Sequence, residues 1–418
     1  MSSVAYAALW LFVFVLPWEG VVRVNNTAIL SQSTGMLAMG CTVFAVLSSA
    51  RLRRWHTLHV AALLFVLTSG FQLLVFYALG ARPPGKFYTY VQLLLMVWMI
   101  WELAPSGGRV LNLLLSYVFG AYVASFQTLL VFHSSGGGLR RFAAGGVDPN
   151  DLAMTLALGL PMAWYLSNTY RKPLLRWICR GYLPVAVVTI GLTGSRGGLL
   201  ASIVALTIVP LSMTRLSPNR LAITIAMLFL SGALAVVYVP EKIVERLATT
   251  STEVEDLRLG GRFKLWKAGL RALPEHPLLG YGTSGFIGAI SPQLGSASQV
   301  AHNSFISVLV EQGLIGLSLY LLMFGAAYRA VRRLPLLERR FGLVLMATLV
   351  VAMLPLTWEH RKPVWFILAA VVGLSQALRV APAGSLDGRI RPGPPVVRSP
   401  GSLRRVGTVA ARPRDADA

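Results

Sequence analysis

Long apolar runs separated by short polar breaks constrain the fold of this chain more than any other feature. Hydrophobic residues make up 55% of the 418 positions and charged residues only 13%. An ordinary soluble protein carries about 25% charged residues. A helix needs about 20 apolar residues to cross the hydrocarbon core of a bilayer. The sequence therefore predicts an all-α, polytopic membrane protein.

Twelve apolar runs are candidate spans, of which the first and the seventh are short. We expect the first to be a retained span, because no small-residue cleavage pattern follows Leu16. The predicted organisation is nine spans within 1–239, a large periplasmic loop at 240–302, three spans within 303–380 and a disordered basic cytoplasmic tail at 381–418. The predicted spans are 4–18, 27–50, 57–79, 87–104, 110–132, 151–169, 182–194, 197–213, 221–239, 303–328, 341–358 and 364–380.

The region 182–213 admits two interpretations, one long broken span or a tight hairpin. A single helix of this length would measure about 48 Å, against a hydrocarbon core of about 30 Å. Glycines and an arginine in its middle, in the segment TGSRGG at 193–198, are typical of a turn. The hairpin is the better interpretation.

The net charge of +22 is large for so few charged residues. A basic excess usually suggests nucleic acid as a partner, but here the cations lie in short runs between apolar segments. With the N-terminus placed in the cytoplasm, most of the 38 Lys and Arg residues fall in cytoplasmic segments. We therefore expect both termini in the cytoplasm, membrane lipids as surroundings and no nucleic acid partner.

Arg196 lies in the segment LTGSRGGLL, at the predicted external turn between two short spans. The two following glycines allow the backbone to approach a ligand closely, which suits an anion such as a phosphate. The alternative is an arginine whose side chain reaches the lipid headgroups.

Arg262 begins a predicted helix in the large loop, which runs to Leu273 and ends at Pro274. At about 100° per residue, one side of this helix should be apolar and carry Arg262 at its edge. We expect that side to face protein or membrane; it consists of Phe263, Trp266, Leu270 and Leu273, whereas Lys264, Lys267 and Arg271 should face water. An amphipathic helix lying on the membrane is the alternative.

His302 and Asn303 mark the predicted external mouth of the tenth span. A histidine titrates near neutral pH and can take a proton from a hydroxyl, although it could equally form a hydrogen bond at the interface. Glu311, nine residues further on, does not share a face with His302. Ser307 is the closer neighbour of Glu311, and we expect Glu311 to have a packing or hydrogen-bonding role.

Asp148-Pro149-Asn150-Asp151 opens the sixth predicted span, and these residue types are ordinary capping residues at a helix start. The acidic residues Glu253, Glu255 and Asp256 match no metal-ligand spacing. We therefore predict no metal site and no cofactor.

Three of these segments together resemble the bacterial O-antigen ligase and polymerase superfamily. They are TGSRGG, the loop GGRFKLWKAGLRALPEHPLLGYGTSGF, and HNSFISVLVEQGLIGL. Twelve spans with a large periplasmic loop between the ninth and the tenth fit the ligase branch. The resemblance covers about residues 145–320, and Asp148-Pro149-Asn150 also looks like the segment that these proteins carry before their sixth span.

The resemblance implies a membrane-embedded glycosyltransferase of the bacterial inner membrane with its active site on the periplasmic face. Such an enzyme takes a glycan from undecaprenyl diphosphate and passes it to a hydroxyl, in ligases one of lipid A–core, without a metal and with inversion. His302 would be the general base. Arg262 and Arg196 would bind the diphosphate and stabilise it as leaving group, and Asn303 and Asn150 would contact substrate.

Two other functions remain open from the sequence. A polymerase of the same superfamily would extend a lipid-linked glycan or an exopolysaccharide, and the shared motifs serve both reactions. A polytopic transporter or flippase would instead carry charges near the bilayer midplane and show internal symmetry. Within the predicted spans the acidic residues are Glu102 and Glu311, and the other charges of interest lie at the predicted external mouth.

Overall fold

The computed structural model describes residues 2–22, 29–78, 85–137, 141–213, 218–248, 261–297 and 299–380. Within these ranges every regular element is a helix, and none is a strand. The predicted all-α class is therefore confirmed. The predicted tail at 381–418 lies outside the described residues.

Sixteen α-helices are numbered here in chain order over the described part of the chain. The first eight are α1 Ser2–Val15, α2 Ile29–Ser49, α3 Thr57–Ala78, α4 Phe87–Leu103, α5 Gly107–Ser134, α6 Pro149–Thr169, α7 Pro173–Thr193 and α8 Arg196–Leu206. The others are α9 Ile208–Met213, α10 Pro218–Tyr238, α11 Glu241–Ala248, α12 Arg262–Ala272, α13 Phe286–Leu294, α14 Ser304–Arg332, α15 Leu336–Met353 and α16 Lys362–Val380. Each predicted span overlaps one helix or, for 197–213, the consecutive pair α8 and α9.

Five of the described helices are long and apolar enough to cross a membrane, by length and composition: α2, α3, α5, α7 and α14. Large apolar side chains are exposed on the periphery, such as Leu47 on α2, Leu67 on α3 and Phe229 on α10. Such side chains need lipid rather than water around them. The chain is therefore a polytopic membrane protein, and the number of twelve spans stays a prediction.

Helix α6 is the centre of the bundle and packs against α5, α7, α8 and α15. It is buried on all sides along most of its length, as expected of a helix with no solvent-facing stripe. Gly159 of α6 lies under the ring of Tyr182, whose hydroxyl donates a hydrogen bond to the carbonyl of Leu156 over 2.8 Å.

The α7–α8 hairpin turns at Gly194 and Ser195, where the sequence predicted a turn. Gly194 adopts a left-handed conformation (φ 57°), and Ser195 caps α8 by accepting a hydrogen bond from the Gly198 N–H over 3.2 Å. The predicted short span 182–194 was wrong at its start, because α7 already begins at Pro173. Arg180 is buried in this helix.

Helix α14 is interrupted at Gly313, which has φ 66° and ψ −168°. The loop segment 277–281 fills the gap. The Leu314 N–H donates to the carbonyl of Pro277 over 2.9 Å, and the Tyr281 N–H donates to that of Val310 over 2.9 Å. Non-helical backbone is tolerated at membrane depth only where protein buries and satisfies it. We call this junction of 277–281 with α14 the loop–helix seam.

The predicted span 341–358 is also corrected, because α15 runs from Leu336 to Met353. Residues 354–361 form an irregular segment that we call the 354–361 loop. Trp358 and Glu359 of this loop are almost fully buried. Hydrophobic sequence alone made these residues look like the end of a span, whereas their backbone folds back into the bundle.

Candidate active site

His302 lies immediately before α14 and is fixed through its backbone. It adopts a positive φ of 48°, which is strained for a residue other than glycine. Its N–H donates to the hydroxyl of Thr357 over 3.0 Å. Ser304, two residues on, donates to the carbonyl of Leu356 and accepts from the N–H of Trp358, each over 2.8 Å. The 354–361 loop therefore holds His302 in place.

Arg262 is the first residue of α12, as predicted, and is half-buried. Trp266, one turn further along the same face, donates its indole N–H to the carbonyl of Ala301 over 2.8 Å. This contact docks that face of α12 against the segment that ends at His302. The expectation that Arg262 faces protein is thus supported by its placement.

The predicted apolar side of α12 is not the side that packs most closely against protein, and its facing the membrane stays a prediction. Phe263 and Leu270 are exposed, and the buried positions are Leu265, Ala268, Gly269 and Ala272. The reason is close packing: a Cβ on Gly269 would meet Phe286 at 2.9 Å and Val310 at 3.1 Å. Small residues on the inner face let α12 approach α13 and α14. Lys264, Lys267 and Arg271 are exposed, as predicted.

The half-buried imidazole of His302 has a pKa below its ordinary value of 6.5. Burial is the main cause, because it disfavours the charged ring, and the positive charge of Arg262 lowers the pKa further. The carboxylates of Asp148 and Asp151 act in the opposite direction but do not outweigh these effects. His302 is therefore neutral at neutral pH and has a free ring nitrogen to accept a proton.

The start of α6 contributes the two carboxylates near His302. Asp148 caps the helix and accepts from the N–H of Asn150 over 2.8 Å, as the sequence predicted. Asp151 accepts from the indole N–H of Trp358 and forms an ion pair with Arg361, both over 2.8 Å. The first turn of α6 is thereby joined to the 354–361 loop.

Asn150 connects α6 to the hairpin that carries Arg196. Its Oδ1 accepts from the Ser195 hydroxyl over 3.0 Å and from the Arg141 guanidinium over 2.7 Å. Arg141 also donates to the carbonyl of Thr193 over 2.8 Å. Arg196, the first residue of α8, thus lies at the same end of the bundle as His302. The connection between the two runs through Asn150 and the start of α6.

Asn303 and Asn150, both predicted to contact substrate, have structural partners. Asn303 caps α14 and accepts from the N–H groups of Phe305 and Ile306 over 3.0 Å. Asn150 has the tethering role described above. Contact of either residue with substrate stays a prediction.

A buried charge cluster at this end of the bundle escaped the sequence analysis. The ammonium of Lys86 lies 2.9 Å from a carboxylate oxygen of Glu311 and 2.7 Å from one of Glu359. Ser307 donates to Glu359 over 3.1 Å, and His360 lies beside the same carboxylate. Glu311 therefore has the hydrogen-bonding role that we expected, but its main partner is a lysine 225 positions away. A lone glutamate inside an apolar span was the available signal, since it requires a counter-charge.

Among the described residues no three His, Cys, Asp or Glu side chains come together to hold a metal ion. The acidic residues Glu253, Glu255 and Asp256 lie outside the described residues. The absence of a metal therefore stays a prediction.

A cavity of about 710 Å³ adjoins the start of α6 and the 354–361 loop. Its apolar wall comes from α1, α2 and α4, and Asp148, Asp151 and Arg361 lie on its polar side. Ligand pockets combine apolar walls with a few placed polar groups in this way. The cavity suits an amphiphilic molecule.

The fold and this arrangement of charges define a polytopic, all-helical membrane protein with a candidate active site at one end of its bundle. The O-Antigen ligase family model matches residues 182–321, a range that includes Arg196, Arg262 and His302. The O-antigen ligase of Pseudomonas aeruginosa is 25% identical over 270 residues, which cover 61% of this chain and 62% of that protein. An uncharacterized protein of Haemophilus influenzae is 23% identical over 198 residues, 43% of this chain and 49% of its own length.

The chain thus spans less than two thirds of either relative. The family model and the Pseudomonas relative both support the O-antigen ligase superfamily. The resemblance that the three sequence motifs suggested is therefore confirmed.

Proposed function

We propose that the protein is a membrane glycosyltransferase that moves a glycan from undecaprenyl diphosphate to an acceptor hydroxyl, with attachment of O-antigen to lipid A–core as its reaction. One observation carries the proposal: the hydrogen bond from Trp266 to the carbonyl of Ala301 brings the start of α12, with Arg262, beside His302. In this proposal the enzyme spans the bacterial inner membrane, its termini are cytoplasmic and the site faces the periplasm.

The proposed reaction is a single displacement at the anomeric carbon of the donor. His302 takes the proton of the acceptor hydroxyl while that oxygen attacks the carbon. The new C–O bond forms as the bond to the diphosphate oxygen breaks, and undecaprenyl diphosphate leaves with the electron pair. Arg262 and Arg196 stabilise its negative charge, which a metal ion would otherwise do. Attack opposite the leaving group inverts the anomeric centre.

Two structural features support this assignment of roles. The lowered pKa keeps His302 in the form that accepts a proton at neutral pH. The cavity of about 710 Å³ offers an amphiphilic substrate both an apolar wall and a polar side next to Asp148 and Asp151.

A transfer assay with the purified full-length protein, a lipid-linked glycan and lipid A–core tests the proposal. We expect His302→Ala and Arg262→Ala each to abolish transfer while the protein accumulates normally. Two controls match them. His133→Ala changes an exposed histidine at the end of α5, and Arg271→Ala an exposed arginine on α12. Wild-type transfer by either site variant would refute the mechanism.

The same assay separates the alternatives. In this assay a polymerase would lengthen the lipid-linked glycan without using lipid A–core. In cells, a strain that lacks a polymerase would lose the polymer altogether, whereas a strain that lacks a ligase would retain the polymer on its lipid carrier. A flippase would move the lipid-linked glycan and form no new glycosidic bond. A lipopolysaccharide chain-length ladder from the deletion strain therefore complements the purified assay.

A further inference from the structure

A second cavity lies at the opposite end of the bundle from His302. It has a volume of about 230 Å³ and is formed where α3 begins and where α14 and α16 end. Arg329 follows His302 by 27 positions along the chain, about 40 Å at 1.5 Å per residue. The loop charges predict that this end faces the cytoplasm. We call the cavity the arginine pocket.

Three guanidinium groups line the arginine pocket: Arg329, Arg333 and Arg379. No acidic side chain is among its lining residues. Within the part of the chain that the structure describes, none of the three arginines forms an ion pair. Glu102, an acidic residue of this end, instead accepts hydrogen bonds from the N–H of Arg53. Among the described residues, the lining therefore gathers three positive charges and no acidic side chain.

The rest of the lining also offers hydrogen-bond donors. Nδ1 of His56 accepts from the N–H of Leu58 over 3.2 Å, so the neutral ring carries its hydrogen on Nε2. Thr57, a further lining residue, is the first residue of α3. The N-terminus of a 22-residue helix also favours an anion nearby through the helix dipole.

We propose that the arginine pocket binds a phosphate-bearing anion through Arg329, Arg333 and Arg379. Basic pockets between membrane helices on the cytoplasmic side bind anionic lipid headgroups. A phosphodiester headgroup and a free phosphate share the chemistry that guanidinium groups recognise. The pocket is about 40 Å from His302 and shares no residue with the candidate active site. Its function is therefore independent of the glycan transfer proposed above.

Lipid binding by the purified full-length protein tests this proposal, with phosphatidylglycerol as the anionic probe and phosphatidylcholine as the neutral one. The test variant is Arg329→Ala with Arg333→Ala. Each cation near an anionic headgroup contributes about 1 kcal/mol, which is roughly fivefold in affinity. We therefore expect phosphatidylglycerol binding to weaken about 25-fold in the double variant, and phosphatidylcholine binding to stay as it is.

Arg332→Ala is the matched control, because this exposed arginine belongs to the same turn of α14 but lies over the ring of Tyr328 instead of lining the pocket. It should change binding less than twofold. A second variant, Arg329→Lys with Arg333→Lys, keeps the charges and should retain most of the affinity. Thermal unfolding of each variant without lipid shows whether it is folded.

Inorganic phosphate identifies the source of the anion. Loss of phosphatidylglycerol binding in the double variant, with no competition by phosphate, assigns the site to a lipid headgroup. Phosphate binding that the same variant abolishes, without lipid binding, assigns it to a soluble anion. If the double variant binds phosphatidylglycerol and inorganic phosphate as tightly as Arg332→Ala does, the proposal is refuted.

Discussion

The two halves of α14 carry charge in opposite ways. At the end near His302, Glu311 is 3% exposed and is held by Lys86, which also contacts Glu359. At the other end, Arg329 and Arg333 are exposed and have no acidic partner in the described part of the chain. The charges of one half are paired within the protein, whereas the other half has an excess of positive charge.

One helix thus carries paired, buried charges at one end and, among the described residues, exposed and unpaired charges at the other. Buried charges are costly to remove from water, and their attraction offsets that cost only when the geometry is fixed. The half near His302 therefore has its buried charge compensated within the protein. Exposed arginines keep their hydration, so the other half can exchange its partners.

Removal of Lys86 would break this contrast most strongly. Lys86→Met leaves two buried carboxylates without a cation, and breaking such a pair costs about 3–5 kcal/mol of stability. We expect a large fall in the midpoint of thermal unfolding in detergent. Lys264→Met, at an exposed position of α12, should leave the midpoint nearly unchanged.

A second substitution checks the cause. Lys86→Met together with Glu359→Gln removes one of the two negative charges and should recover part of the lost stability. An equal fall in Lys86→Met and Lys264→Met would show that the buried cluster contributes nothing.

The loop–helix seam allows the two halves of α14 to be compared directly. A Cβ on Gly313 would lie 2.2 Å from the carbonyl oxygen of Leu278, at a φ of 66°. Gly313→Ala should therefore destabilise the protein by about 2–5 kcal/mol through strain and overpacking. Gly325→Ala, in the regular half of the same helix, meets open space and should be neutral or slightly stabilising. Chemical unfolding measures the stability of both variants. Equal midpoints would show that the close packing at the loop–helix seam does not contribute to stability.

The smallest expected effect concerns the pH dependence of transfer. Asp148→Asn keeps a good capping residue but removes a charge that raises the pKa of His302. The pKa should then fall further below 6.5, so that the acid limb of the rate–pH profile moves to lower pH by about 0.2–0.5 of a unit.

Glu275→Gln is the control for this shift. Glu275 is exposed and accepts from the Tyr281 hydroxyl, and it is not among the charges that move the pKa of His302. A shift towards higher pH in Asp148→Asn would mean that His302 is not the group that titrates.

Features that depend on neighbouring residues were predictable from the sequence. Asp148 caps its helix and the chain turns at Gly194, as predicted, because residues only a few positions apart determine both features. The helical positions of the spans follow from hydrophobicity alone. These local signals also placed Arg262 and His302 at the starts of their helices.

Features that depend on distant packing were not predictable. Lys86 and Glu359 are 273 positions apart, and no local pattern links them. The protein-facing side of α12 could not be read from apolar character, because the large side chains Phe263 and Leu270 are exposed while Gly269 is buried by Phe286 and Val310. Apolar character alone does not distinguish a surface that faces lipid from one that faces protein.

The interruption at Gly313 also limits how the molecule can move. If residues 277–281 lifted away, the N–H groups of Leu314 and Ile315 and the carbonyl of Val310 would lose their partners in an environment without water. Residues 277–281 are therefore a fixed part of the helix bundle rather than a lid, because lifting them would leave these groups of α14 unpaired.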